Sequence, residues 1–293
     1  MLTTKSKDLI NIGNYDPTKP NIICWFSCGV TSAVSIKLAI DKYKSTHNIL
    51  IYYFVIDSAH DDNERFLNHC EQWYQIPIIK IRSHKYKDQF DVIEKIKFIN
   101  SPYGASCTLE LKKKIRMKIE KQIEFDYQVF GYEFDNKQIN RAIRFLEQYP
   151  NSKAIFPLIE ARLDKQNALR ILLNNKIDIP EMYKLGFQNN NCIGCVKGGK
   201  GYWNKIRDNF SIHFEKMKQM EEIVGRSCIK GTFLKDLKNG EGRHESVDLP
   251  DCGVVCDIEF GDITSQKTLD IFNKLKNISD FYDYKKNDWK SIL

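Results

Sequence analysis

Short β-rich runs alternate with helical patterns through the first half of the chain, and this alternation limits the fold more than any other feature. The runs are NIICWF (21–26), ILIYYFVI (49–56), IPIIKIR (76–82) and YQVFGY (127–132). Between the first three lie SAVSIKLAIDKY (32–43), with Val34, Leu38 and Ala39 on one face, and NERFLNHCEQWY (63–74), with Phe66, Leu67, Cys70 and Trp73 or Tyr74 on one face. LELKKKIRMKIEKQI (109–123) and NKQINRAIRFLEQY (136–149) are two further helical patterns, the former strongly basic on its outer side. The order predicts an α/β fold, a parallel twisted sheet with helices on both faces. In such sheets ligands bind beyond the carboxyl ends of the strands.

The first such end is FSCGVTS (26–32), a small polar turn between a strand and a helix start. A helix N-terminus offers unpaired N–H groups and a partial positive charge. Gly29 allows close backbone approach or positive φ, Ser27, Thr31 and Ser32 add hydroxyls, and Thr31 or Ser32 suits a cap. Together Ser27, Cys28, Gly29, Val30, Thr31 and Ser32 form a candidate cradle for a phosphate or sulfate; the alternative is an ordinary capped turn. The Walker pattern is absent, which disfavours a kinase or GTPase. The second strand ends in VIDSAHDDNERF (55–66), where Asp57 is placed to accept hydrogen bonds from a ribose or an adenine amine. Asp61, Asp62 or Asn63 suits the cap of the next helix.

A chain of 293 residues, 42% hydrophobic, can bury a sizeable core. It has no apolar run of membrane-spanning length, and MLTTKSKDLI lacks a leader's apolar stretch, so a cytoplasmic protein without a membrane partner is expected. A net charge of +7 suits an anionic ligand. The nine cysteines are then expected to be thiols or metal ligands rather than disulfides. CIGC (192–195) and CGVVC (252–256) supply two close pairs, so Cys192, Cys195, Cys252 and Cys256 can be read as a tetrahedral four-thiolate site; a redox pair is the alternative for CIGC. Cys24, Cys70 and Cys228 read as buried small hydrophobes. Cys107 opens the basic helix, which predicts a lowered thiol pKa. VKGGKGYWNKIR (196–207) reads as an anion-binding lid, a nucleic-acid contact or a solvated connection, and DLKNGEGRHESVDLPD (236–251) as a long polar loop.

Taken in order, these segments resemble the phosphoadenosine phosphosulfate (PAPS) reductase family, within the PP-loop or adenine nucleotide α-hydrolase superfamily. Ser27-Cys28-Gly29-Val30-Thr31-Ser32 is similar to its Ser-Gly-Gly-x-x-Ser loop, with Cys28 in place of one glycine and Thr31 where ATP pyrophosphatases carry Asp. VFGYEFDNKQINRA (129–142) resembles the family's Gly-Tyr…Arg segment, and residues 156–195 resemble its Pro-Leu, helix, Pro-x-Tyr, Gly-Phe, Cys-x-x-Cys region. The likeness spans roughly residues 20–200 and is greatest to PAPS-reductase-like proteins, including those of phages and mobile elements. It implies an adenine nucleotide α-hydrolase-like domain over 1–190, with a cysteine-bearing region, 191–293, packed on it.

The resemblance also implies roles. Gly131, Tyr132 and Arg141 join the nucleotide site, and Lys112 sits near the nucleotide's anionic tail. A [4Fe–4S] cluster, or zinc as the alternative, is held by four of Cys107, Cys192, Cys195, Cys252 and Cys256. Cys252, in a segment similar to the family's reductive Glu-Cys-Gly motif, is the alternative nucleophile. The expected activity is thiol- or cluster-linked sulfur chemistry on an adenine nucleotide, PAPS, adenylyl sulfate (APS) or ATP. A thioredoxin-like reductant, or tRNA or DNA as sulfur acceptor, is the expected partner; the oligomeric state is open. An ATP-dependent nucleic-acid sulfurtransferase and a non-catalytic nucleotide-binding module in phage–host conflict are the alternatives.

Overall fold

A computed structural model describes residues 15–244, 246, 248, 249 and 265–278. The chain runs β1 (Asn21–Phe26), α1 (Val30–Tyr43), β2 (Asn48–Val55), α2 (Asn63–Tyr74), β3 (Ile78–Arg82) and α3 (Gln89–Ile96). A small hairpin, β4 (Asn100–Ser101) and β5 (Gly104–Ala105), leads into α4 (Ser106–Thr108), a π-helical turn (Leu109–Lys113) and α5 (Lys114–Gln122). Then come β6 (Tyr127–Val129), α6 (Asn136–Gln148), β7 (Ala154–Ile155), α7 (Pro157–Glu160), α8 (Lys165–Asn174) and α9 (Glu181–Lys184). Helices α10 (Lys200–Asn209), α11 (Ser211–Val224) and α12 (Gln266–Ile278) complete the described chain.

Five strands form one parallel sheet in the order β3-β2-β1-β6-β7. The expected parallel sheet with covered faces is present. β1 and β2 are apolar on both faces because both are covered. Ile22, Cys24 and Phe26 join one core with α1, α2 and α8, while Ile23, Trp25, Leu50 and Tyr52 join another with Ile115 and Ile119 of α5. The chain builds outward from β1 to β3, then returns to the other side of β1 for β6. The order therefore reverses between β1 and β6, the kind of switch point beside which parallel sheets bind ligands at the strands' carboxyl ends.

A further core joins α3 and the hairpin to the segment after residue 190: Phe90, Ile99 and Ala105 pack with Ile193, Val196 and Trp203. Its polar anchor is Glu221 of α11, 1% exposed, whose carboxylate accepts from the Cys228 and Leu234 amides at 2.7 Å each. Each bond to a buried carboxylate of this kind contributes about 1.5–3 kcal/mol.

Two expectations need correction. The helix expected over 109–123 begins at Ser106 and is widened by the π turn. The strand read over 127–132 ends at Val129, although the Phe130 amide still donates to the Ile155 carbonyl at 3.1 Å. The two-residue β7, the hairpin and α3 gave no clear periodic signal. Cys252 and Cys256 lie outside the described residues.

Candidate functional site

The loop after β1 is folded by its own side chains. Ser32, in the first turn of α1, places its Oγ to accept from the Ser27 amide (3.2 Å) and the Gly29 amide (3.3 Å) and to donate to the Gly29 carbonyl (2.9 Å). Gly29 is the N-cap. The left-handed residue is Cys28, at φ 60, whereas Gly29 is extended at φ −107. That conformation favours glycine, so the site carries local strain. It is held by burial: Cys28 is 0% exposed, with its Sγ 3.7 Å from the Asn63 carbonyl. What limits Gly29 is space, since a β-carbon there would stand 3.2 Å from the Tyr183 hydroxyl.

Two distant residues complete the loop. The buried Tyr183 hydroxyl accepts from the Val30 amide at 3.4 Å, and burial pushes its pKa up. Gly131, just past β6, lies against the first turn of α1. A β-carbon on it would meet the Ser32 Cα at 2.6 Å and amide nitrogen at 2.7 Å. With the Ser27, Gly29 and Val30 amides engaged internally, the cradle is narrower than the sequence predicts. Among the described residues the Thr31 hydroxyl has no hydrogen-bond partner. Past β6, Arg141 lays its guanidinium over the Tyr132 ring, 4.4 Å from the centroid.

Asp57 stands past β2, at the carboxyl edge as expected, where it forms an ion pair with Arg82 at the end of β3. Its acceptor capacity is thus shared with a cation that the sequence reading did not assign. Asp62 occupies the N-cap position of α2 but does not cap it. Its carboxylate instead takes Arg65 (2.6 and 2.9 Å) and the Glu181 amide (2.8 Å). Burial works to raise its pKa, yet these bonds hold it below the ordinary carboxylate value.

The cysteine segment is tied to the same edge. Asn190 donates through Nδ2 to the Cys28 carbonyl at 2.6 Å and to Asn63 Oδ1 at 2.7 Å, which fixes the chain two residues before Cys192 against the first-strand loop. The Ile193 amide donates to the Ser58 carbonyl past β2, and Gln89 Nε2 donates to the Ile193 carbonyl, both at 2.8 Å. Tyr202 Oη accepts from the Cys195 amide at 2.8 Å and donates to the Cys192 carbonyl at 3.0 Å. Gly194, at φ 79, turns where a β-carbon would lie 3.2 Å from the Phe90 ring.

This architecture gathers Cys107, Cys192, Cys195, Lys112, Lys197 and Arg141 into one electrostatic neighbourhood. The Cys107 thiol is pushed up to about 11, first by burial and then by Cys195 and Cys192, with Lys112 and Lys197 opposing. The expected lowering is therefore overturned, because apolar packing outweighs the basic helix. Cys195 is raised as well, chiefly by burial. Lys197 is lowered, first by burial, with Arg141 and Lys112 adding to the effect and Cys195 opposing it. Cys24, Cys70 and Cys228 are buried free thiols, as expected.

Among the described residues no group of three or more His, Cys, Asp or Glu side chains is arranged to hold a metal ion. Cys107, Cys192 and Cys195 alone thus do not close the thiolate cage that zinc or an iron–sulfur cluster needs. Lys112, exposed in the π turn, lies close enough to the thiols to act on Cys107.

Asn190, Tyr183, Tyr202 and Arg82 are the residues sequence reading missed. Each acts through a contact that local pattern does not encode. No family model matches the chain, and no curated protein matches it.

Proposed function

We propose that the chain is a PAPS-reductase-like enzyme, binding an adenine nucleotide at Ser27–Ser32 and performing thiol-linked sulfur chemistry at the cysteine–lysine site. One observation carries this reading most. Asn190 bonds the nucleotide-type loop directly to the segment bearing Cys192 and Cys195, which supports a ligand at the loop lying close to the thiols. The α1 N-terminus and the Thr31 hydroxyl hold the phosphate. Asp57, paired with Arg82, orients the adenosine by accepting from its ribose or adenine.

In the favoured reaction a site thiolate attacks the sulfonyl sulfur of an adenylyl sulfate. A sulfur–sulfur bond forms and the sulfur–oxygen bond to the nucleotide phosphate breaks. The electron pair leaves on that phosphate oxygen, whose charge Lys112 and Arg141 offset. A dithiol reductant of the thioredoxin kind then attacks the protein sulfur. Sulfite departs, the reductant ends as a disulfide, and the protein thiol is restored. The raised Cys107 and Cys195 pKa values mean that the lysines must act before either thiol ionises near neutral pH. A metal or cluster completed by Cys252 or Cys256 would supply charge and thiolate stabilisation.

The second reading is an ATP-dependent nucleic-acid sulfurtransferase, favoured by a basic groove beside the thiols. Product analysis separates the two. Sulfite from PAPS or APS with thioredoxin supports the first; AMP and pyrophosphate from ATP, dependent on nucleic acid, support the second. Nucleotide binding without either product, in protein reconstituted with iron–sulfide or zinc, would leave a binding module and end both enzymatic readings.

A further inference from the structure

A groove of about 550 Å³ lies between the β4–β5 hairpin, the Val196–Gly199 segment and residues 228–230. Its size suits one or two nucleotide units. Its lining contains Lys197 and Lys230 and no carboxylate. A second groove, about 400 Å³, also carries lysines but balances them with Asp88, Asp91 and Glu94. The first, with two lysines and no carboxylate, is the more strongly biased toward an anion.

An aromatic ring stands at its rim. Tyr103, at the tip of the two-residue hairpin loop, is 99% exposed. A large ring left wholly in water on a folded element lacks a packing role in the monomer. The hairpin that bears it is anchored: Asn100 Nδ2 bonds the Cys228 carbonyl at 2.9 Å and also the Val196 carbonyl, and Ser106 Oγ bonds the Phe98 carbonyl at 2.8 Å. Opposite, Gly198 and Gly199 lead into α10, and a β-carbon on Gly199 would meet nothing within 4 Å, so backbone is open to a ligand there. The groove is linked to the thiols through Lys197, which lines it and interacts electrostatically with Cys195 and Cys107. Val196 and Lys197 directly follow Cys195, and β5 ends two residues before Cys107.

We propose that this groove binds a single-stranded nucleic acid, with a base stacked on Tyr103 and phosphates held by Lys197 and Lys230, and presents it to the thiol site. It rests on the second of the two readings above, nucleotide-dependent sulfur transfer, and specifies single-stranded nucleic acid as the form in which the acceptor is held. Stacking with cations alternating along a groove is how strands are held without base-pair geometry. A duplex would bury its bases away from Tyr103, and a free mononucleotide would use only part of the groove.

The test uses the full chain and fluorescein-labelled 12-nucleotide single-stranded RNA and DNA in anisotropy titrations across a salt series. Tyr103→Ala is expected to weaken strand binding roughly 5- to 150-fold. Lys230→Ala is expected to reduce the salt slope by about 0.7. Both residues are surface positions outside the nucleotide loop, so ATP and adenylyl sulfate affinities, measured by calorimetry on the same proteins, should not move. Absence of strand binding at low salt overturns the proposal. So does binding unmoved by both variants, equal or stronger binding of a duplex, or full displacement by free AMP. Tyr103-dependent capture of thioredoxin with no strand binding would assign the groove to a protein instead. Strand binding without any ATP or adenylyl sulfate binding would keep the groove and remove the nucleotide-loop reading; the reverse result would do the opposite.

Discussion

The first-strand loop and the cysteine–lysine site meet at one edge of the sheet but are held in contrasting ways. In the loop, Ser32 and Tyr183 engage backbone amides, and Gly131 lets two backbones touch. The thiol site is assembled from chain segments about 90 residues apart, and its members oppose one another: burial, with neighbouring thiols adding, raises the Cys107 and Cys195 pKa values, while burial, with Arg141 and Lys112 adding, depresses Lys197. A hydrogen-bonded loop is a preformed receptor. A site with like groups crowded together gains stability from whatever neutralises them.

That contrast can be broken experimentally, beginning where the effect is largest. Gly131→Ala forces a β-carbon into the Ser32 backbone, and a loss of about 3 kcal/mol in urea unfolding is expected, together with loss of nucleotide binding. A loss under about 0.5 kcal/mol would mean the loop is not held by that contact. Glu221→Gln weakens the charged acceptor under the core that supports the cysteine segment, at an expected cost of about 2 kcal/mol by the same measurement. Asn190→Ala cuts the link between the two regions. Stability should fall by about 1–2 kcal/mol, and nucleotide should no longer protect Cys192 from alkylation; unchanged protection would show the regions are independent.

Cys107 gives a pH test in chelator-treated protein. Its thiolate fraction, and so its iodoacetamide rate read by mass spectrometry, should rise about tenfold per pH unit from pH 8 toward about 11. The folded state prefers the neutral thiol. That contribution to stability is therefore complete below pH 9 and is lost as pH climbs through about 11. A rate plateau near pH 8 would contradict the burial argument. The smallest effect belongs to Tyr132→Leu, which removes the ring under Arg141. Affinity for the anionic tail should drop only two- to fivefold, as fits an exposed cation–π contact of about 0.5–1 kcal/mol.

Much of this was legible in the chain because it is local. The order NIICWF, FSCGVTS, AVSIKLAI encodes strand, turn and helix over consecutive residues, and the apolar faces of α1 and α2 repeat within one or two turns. The detail of the turn was less legible: positive φ falls on Cys28 because the loop closes around Ser32, and no composition rule would place it there in preference to the adjacent glycine. Tyr183 and Asn190 were not legible at all. They reach the loop from 153 and 162 residues away, where spacing gives no periodic signal. The lowered thiol expected at Cys107 failed for a related reason. Its basic neighbours are written beside it, whereas the burial that dominates comes from apolar clusters gathered across the fold, with Cys195 and Cys192 adding to it.

The widened turn at Leu109–Lys113 has a consequence for how this chain tolerates length changes. A π turn fits one more residue into a helix than α geometry allows. Deleting a single residue there would remove the bulge and leave a continuous ordinary helix with Cys107 and α5 facing nearly as they do, whereas the same deletion inside α5 would rotate everything before it by about 100°. The turn is therefore a place where this helix can lose a residue without swinging Cys107 off the thiol site, while Ile115 and Ile119 stay buried beneath the sheet.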